Sequence, residues 1–253
     1  MPTSSGSIRL FRIFGIEVFL HWSWFLIAIY EVQQWRAIFT SPVWAVILYL
    51  GLFLFVTMHE FGHALACRQT GGTAEKIFLW PLGGIAFVSP PPRPGAMLWS
   101  IAAGPLVNVA LIPTLWFASV GAVRAGWVVN NHDAYLVLVW LWRINLWFLI
   151  FNILPIYPLD GGQILRSLLW FPLGQTRSIF VATAIGFVGA GALILFAIWQ
   201  RNFWIGLIAF FLLSRAAVGW KQARYLQAEE AELARGGPAP EPEPELPEKK
   251  AVL

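Results

Sequence analysis

The sequence predicts an all-α polytopic membrane protein of about six transmembrane helices, and three observations carry that reading. Hydrophobic residues make up 58% of the 253-residue chain and charged residues only 12%, too little polar surface for a soluble globule of that length. The apolar residues gather into runs long enough to cross about 30 Å of hydrocarbon at about 1.5 Å per residue. Between Glu31 and Glu229 the only carboxylates are Glu60, Glu75, Asp133 and Asp160, and acids inside spans cost enough to mark function.

The runs fall at residues 16–35, 43–67, 97–120, 134–154, 178–199 and 203–221. The first follows Arg9 and Arg12 like a secretory signal, but no clean small-residue cleavage site comes after it, so it reads as a retained anchor. The fourth carries Arg143 and the last is short. Tryptophans in near-doublets, Trp22 with Trp24 and Trp140 with Trp142, suit anchors at the headgroup level. Between the second and third runs, Gly71 to Gly95 is rich in Gly and Pro and contains an alternating stretch around Gly83-Gly84. It predicts a short β-hairpin dipping into the membrane under protein cover, with an ordinary connecting loop as the alternative. With the amino terminus in the cytoplasm, Arg9, Arg12, Arg68, Lys76, Arg93, Arg166, Arg177, Arg215, Lys221, Arg224, Arg235, Lys249 and Lys250 lie inside. Only Arg36, Arg124 and Arg201 then lie outside. Both termini are therefore expected in the cytoplasm. No repeat and no second folded domain is visible: residues 1–225 form one membrane core. Residues 226–253, rich in Glu and Pro, form a tail expected to be disordered.

Composition also bounds the chemistry. The single cysteine, Cys67, excludes an internal disulfide and any paired-cysteine metal site, so a metal must use histidine and carboxylate. The net charge of +4 is spread near span ends rather than in a stripe, which gives nucleic-acid binding no support.

In the second run, His59 and His63 stand four residues apart and so share a helical face, with Glu60 beside them. Each such group costs about 2.5 to 3.5 kcal/mol in hydrocarbon on insertion scales, so three within five residues need compensation, which a metal supplies. His63 precedes Arg68 by five residues, which puts that metal about 8 to 14 Å below the cytoplasmic edge. Asp160 follows Pro155 and Pro158 and precedes Gly161-Gly162, so it projects from an irregular segment. His59, His63 and Asp160 make three ligands and leave a fourth position for water, the pattern of a catalytic zinc; Asp160 also suits an N-cap of the helix after it. One zinc per chain is expected, with Glu60 as general base toward water and then as acid toward a leaving amine. Asn152, an amide before the proline break, is a candidate oxyanion donor and equally a helix-packing residue. His21 reads as a hydrogen-bonded core histidine, and Asn108 as a packing residue. His132 with Asp133 reads as an external loop.

Four stretches carry a family resemblance: His59-Glu-Phe-Gly-His63, Pro81-Leu-Gly-Gly-Ile-Ala86, Gly104-Pro-Leu-Val-Asn108, and Asn152 through Leu159-Asp-Gly-Gly162. With Gly15-Ile-Glu-Val-Phe-Leu-His-Trp-Ser23, they resemble the site-2 protease family of intramembrane zinc metalloproteases over about residues 10 to 225. The resemblance implies a six-helix core, zinc on His59, His63 and Asp160, Glu60 as base and Asn152 assisting. It also implies that Gly83, Gly84 and Ile85 belong to a hairpin that pairs with substrate as an added strand. The partners it implies are the lipid bilayer and a single-pass transmembrane protein cut within its membrane segment. The PDZ and CBS modules often found in the family do not fit the spacing here. A divalent-metal transporter is the rival, and it predicts inverted repeats and a scattered polar site.

Overall fold

The computed structural model describes residues 6–80 and 83–235. In chain order the elements are β1 (Ser7–Ile13), β2 (Ile16–His21), α1 (Ser23–Trp35), α2 (Pro42–Gln69), β3 (Thr73–Trp80), β4 (Gly83–Ser89), α3 (Pro94–Arg124), α4 (Trp127–Asn130), α5 (His132–Ile153), α6 (Asp160–Leu173), α7 (Gln175–Trp199) and α8 (Phe203–Ala234). Five of these, α2, α3, α5, α7 and α8, are long and apolar enough to cross a membrane, and they fall on five of the six expected runs.

The first run, 16–35, departs from expectation. Its start is strand β2, and α1 has 13 residues, about 20 Å of helix against about 30 Å of hydrocarbon. The reason is pairing. Ile16, Val18 and Leu20 alternate with half-buried neighbours, and β2 bonds to strands on both sides, antiparallel to β1 and parallel to β3. The fold is therefore not purely α: a four-stranded mixed sheet in the order β1-β2-β3-β4 accompanies the helices. β3 and β4 are antiparallel and follow α2, with β4 at the sheet edge.

The chain divides into two compact units. One holds the residues up to Pro90 with Ala103–Phe151, and the other Pro91–Ala102 with the chain from Asn152 onward. In the first, one sheet face, with Ile16, Val18, Ile77, Leu79, Ala86 and Val88, buries against Val56, Ala64 and Cys67 of α2. Arg68, at the end of α2, donates from Nε to the Ala74 carbonyl at 3.0 Å and from Nη1 to the Phe14 carbonyl, so the β1–β2 turn is tied to the helix end. Asp133 is not in a loop: it is buried in the first turn of α5 and accepts hydrogen bonds from the Thr40 backbone N–H at 3.1 Å and from its hydroxyl.

In the second unit the link Ile156-Tyr157 packs against α7 and α8 at glycines. A Cβ on Gly189 would lie 2.6 Å from Ile156 Cγ1, and one on Gly219 would lie 2.5 Å from Tyr157 Cε1. Helix α8 continues through Ala234, so residues 226–234 are helical rather than disordered. That stretch is almost wholly Ala, Glu, Leu and Gln, all strong helix formers. Glu230 is also held by the Thr176 hydroxyl of α7 at 2.5 Å. The tail from residue 236 lies outside the described residues.

Candidate metal and catalytic centre

Helix α2 starts cleanly because Ser41 accepts from the Val43 N–H and Pro42 takes the first position, where its missing N–H costs nothing. Nearly five turns later it presents His59, Glu60 and His63, which are 3%, 4% and 2% exposed. The i, i+4 spacing turns both imidazoles to one side, and their Nε2 atoms lie 3.0 Å apart. Two nitrogens bound at about 2.0–2.1 Å to a tetrahedral zinc sit about 3.3 Å from each other, so the pair fits a shared ion with a small adjustment.

A chain of buried amides orients His59. Its Nδ1–H donates to Asn108 Oδ1 on α3 at 2.7 Å. Asn108 Nδ2 donates to Asn145 Oδ1 on α5 at 2.8 Å, and Asn145 Nδ2 returns to the Asn108 carbonyl at 2.9 Å. Both asparagines are fully buried. With the proton on Nδ1, the His59 lone pair lies on Nε2, the atom that faces His63, which is the arrangement metal-ligating histidines use. Phe148 closes the other side of the ring, edge-on at 5.0 Å.

Two glycines mark where backbone comes against the site. On α3, a Cβ at Gly104 would lie 2.2 Å from His63 Nε2, so only glycine admits the imidazole there. On β4, a Cβ at Gly84 would lie 2.2 to 2.4 Å from the carboxyl end of Glu60. Gly83, whose φ of 138° suits glycine alone, opens the strand. Gly83, Gly84 and Ile85 thus sit on an edge strand that passes over Glu60.

Asp160 and Asn152 belong to the second unit. Asn152 is in the last turn of α5. Asp160 is the first residue of α6 and is buried; Leu159 stands at the N-cap position. The link between them folds back tightly because Gly161 and Gly162 have no side chains: a Cβ would meet the Ile153 carbonyl oxygen at 2.1 Å and the Tyr157 nitrogen at 2.3 Å, respectively. His21 is hydrogen-bonded as the sequence suggests, to Ser23 Oγ at 2.5 Å, but it is half-buried at the end of β2 rather than in the core, stacked on Trp80 with centroids 4.7 Å apart.

Sequence alone misses one participant and underrates another. Asn145 draws no notice there, and Asn108 reads as packing; the available signal is two carboxamides placed inside otherwise apolar spans, each a group that needs a partner there.

The model for peptidase family M50 matches residues 47–126 and 120–197. A zinc metalloprotease of Methanocaldococcus jannaschii is 32% identical over 206 residues, covering 81% of this chain and 58% of that protein. Stage IV sporulation protein FB of Bacillus subtilis is 31% identical over 162 residues, 62% of this chain and 53% of that protein. The chain therefore spans somewhat more than half the length of these curated relatives. Among solved structures, the site-2 protease from Methanocaldococcus jannaschii superposes with a TM-score of 0.56 at 28% identity, covering 84% of this chain and 94% of that one.

Proposed function

The chain belongs to peptidase family M50, the site-2 protease family, and on that premise we propose that it is a zinc-dependent intramembrane endopeptidase that cuts transmembrane segments of other membrane proteins. The observation that carries the reading is the buried His59–His63 pair, with Nε2 atoms 3.0 Å apart and Glu60 beside it under an edge strand.

His59, His63 and Asp160 are the residues that would hold one zinc ion. Two neutral imidazoles and a carboxylate are the donor set of catalytic rather than closed structural zinc. Bound zinc supplies Lewis acidity and lowers the pKa of its water to about 7. Glu60 takes the proton of the attacking water and later delivers it to the leaving amine. Asn152 donates its amide N–H to the oxygen on which charge develops. The Asn108–Asn145 chain keeps the His59 proton on Nδ1, away from the cation.

A helical substrate shields each peptide bond with its own hydrogen bonds and must unwind before hydrolysis. The free edge of β4 at Gly83, Gly84 and Ile85 offers an unwound segment new main-chain partners, directly above Glu60. We place both termini in the cytoplasm on the bias of Lys and Arg in the sequence, with α2, α3, α5, α7 and α8 as five of the six crossings. The β3–β4 hairpin then dips into the membrane from the cytoplasmic side.

The test is cleavage of a model transmembrane substrate in proteoliposomes, with the cut located by mass spectrometry. A cut inside the apolar segment, absent in Glu60→Gln, supports the reading. A cut only in flanking soluble sequence, or equal cleavage by the variant, overturns it.

A further inference from the structure

Helices α3 and α5 of the first unit enclose a groove of about 280 Å³. Its walls are two helical stripes: Trp116, Ser119 and Val120 on α3, and Tyr135, Trp142 and Arg143 on α5. Residues three, four, seven or eight apart share a helical face, so each stripe presents its side chains together.

Arg143 is out of place by composition, and Trp140 and Trp142 next to it lie at the middle of α5 rather than at the headgroup level that the sequence suggests. It stands midway along α5, whose 22 residues span about 33 Å, nearly the hydrocarbon thickness. Its side chain is exposed and rests on the Trp140 ring with Cζ 5.3 Å from the centroid, and among the described residues it pairs with no carboxylate. The groove thus offers a cation, which cannot accept, at a depth where lipid tails supply no acceptor and no counter-charge.

We propose that this groove docks a transmembrane helix of a partner protein through an aspartate or glutamate near the middle of that helix. The carboxyl would pair with the exposed Arg143 guanidinium, whose fork of N–H donors suits both its oxygens, while the partner's apolar side chains cover Trp116 and Val120. Depth selects this occupant over a lipid phosphate. The headgroups lie about 15 Å from the midplane, well beyond the span of an arginine side chain. A carboxylic acid alone in hydrocarbon stays neutral, and a facing guanidinium draws it into its charged form, so the pairing is favoured only where both groups meet.

The test uses the full chain in phosphatidylcholine vesicles and a Leu/Ala-rich transmembrane peptide of about 22 residues, labelled for energy transfer. The peptide carries Glu, Gln or Leu at its centre. The Glu peptide should associate at least about tenfold more tightly than the other two, an advantage lost in Arg143→Gln and kept in Arg143→Lys. The peptide series runs on unaltered protein, so its outcome does not depend on a variant folding. Equal association of all three peptides overturns the proposal, as does a Glu preference that survives Arg143→Gln. Loss of the preference when phosphatidylglycerol is added also overturns it, because the groove would then take a lipid phosphate.

Discussion

Replacing Asn108 with alanine probes the site without touching a proposed ligand or the proposed base. The change deletes the acceptor of the His59 Nδ1–H and leaves Asn145 with one partner fewer, all at buried positions. A buried polar group left unpaired costs about 1–3 kcal/mol, and a tenfold change in affinity corresponds to about 1.4 kcal/mol. Zinc affinity is therefore expected to fall about 10- to 100-fold, the range seen when a second partner of a metal-bound histidine is removed. The assay is zinc competition against a fluorescent chelator in detergent, with cleavage recorded in parallel. Asn145→Ala should weaken binding less, because it acts through Asn108. The double variant should lose less than the sum of the two single losses, since the residues share one network. A zinc affinity for Asn108→Ala within about threefold of the unaltered protein, well below that 10- to 100-fold range, would refute the claim that the amide chain orients His59.

Three further substitutions test separate parts of the site. Gly104→Ala puts a methyl 2.2 Å from His63 Nε2; it should reduce zinc well below one per chain by elemental analysis, and undiminished zinc would remove His63 from that wall of the site. Gly84→Ala intrudes on the Glu60 carboxyl and should keep zinc while slowing cleavage about 100-fold or more, as displacement of a catalytic group does; near-normal cleavage would show that β4 does not pass over the base during turnover. Asp160→Ala should lower zinc affinity about 10-fold or more, as loss of one of the three proposed protein ligands requires, and unchanged zinc content would assign the third ligand elsewhere.

Much of this site is written in local sequence. His59, Glu60 and His63 sit on one unbroken helix, so their spacing alone fixes a shared face, and Asp160 and Asn152 stand beside prolines and glycines that break the helical pattern. What sequence could not give depends on pairing between distant segments. Residues 16–21 read as the start of a membrane span because Ile16, Val18, Phe19 and Leu20 run on into the apolar α1 with only Glu17 and His21 between them; only the partners β1 and β3 distinguish this strand from helix. Asn145 is invisible for a related reason: one amide in an apolar run carries no periodic signal, and its role emerges only across three helices. The reach of α8 to Ala234 is obscured by composition, since its Glu- and Ala-rich end resembles a solvated tail until Glu230 meets Thr176.

Zinc content of the detergent-purified chain, measured beside cleavage for unaltered protein and Glu60→Gln, tests the central claim most directly. One zinc per chain in both proteins, with cleavage only in the unaltered one, is the predicted result, because the role proposed for Glu60 is to move a proton and not to hold metal. Absence of zinc from the unaltered protein, or loss of zinc together with activity in Glu60→Gln, would contradict the assignment of His59, His63 and Asp160 as ligands around a glutamate base.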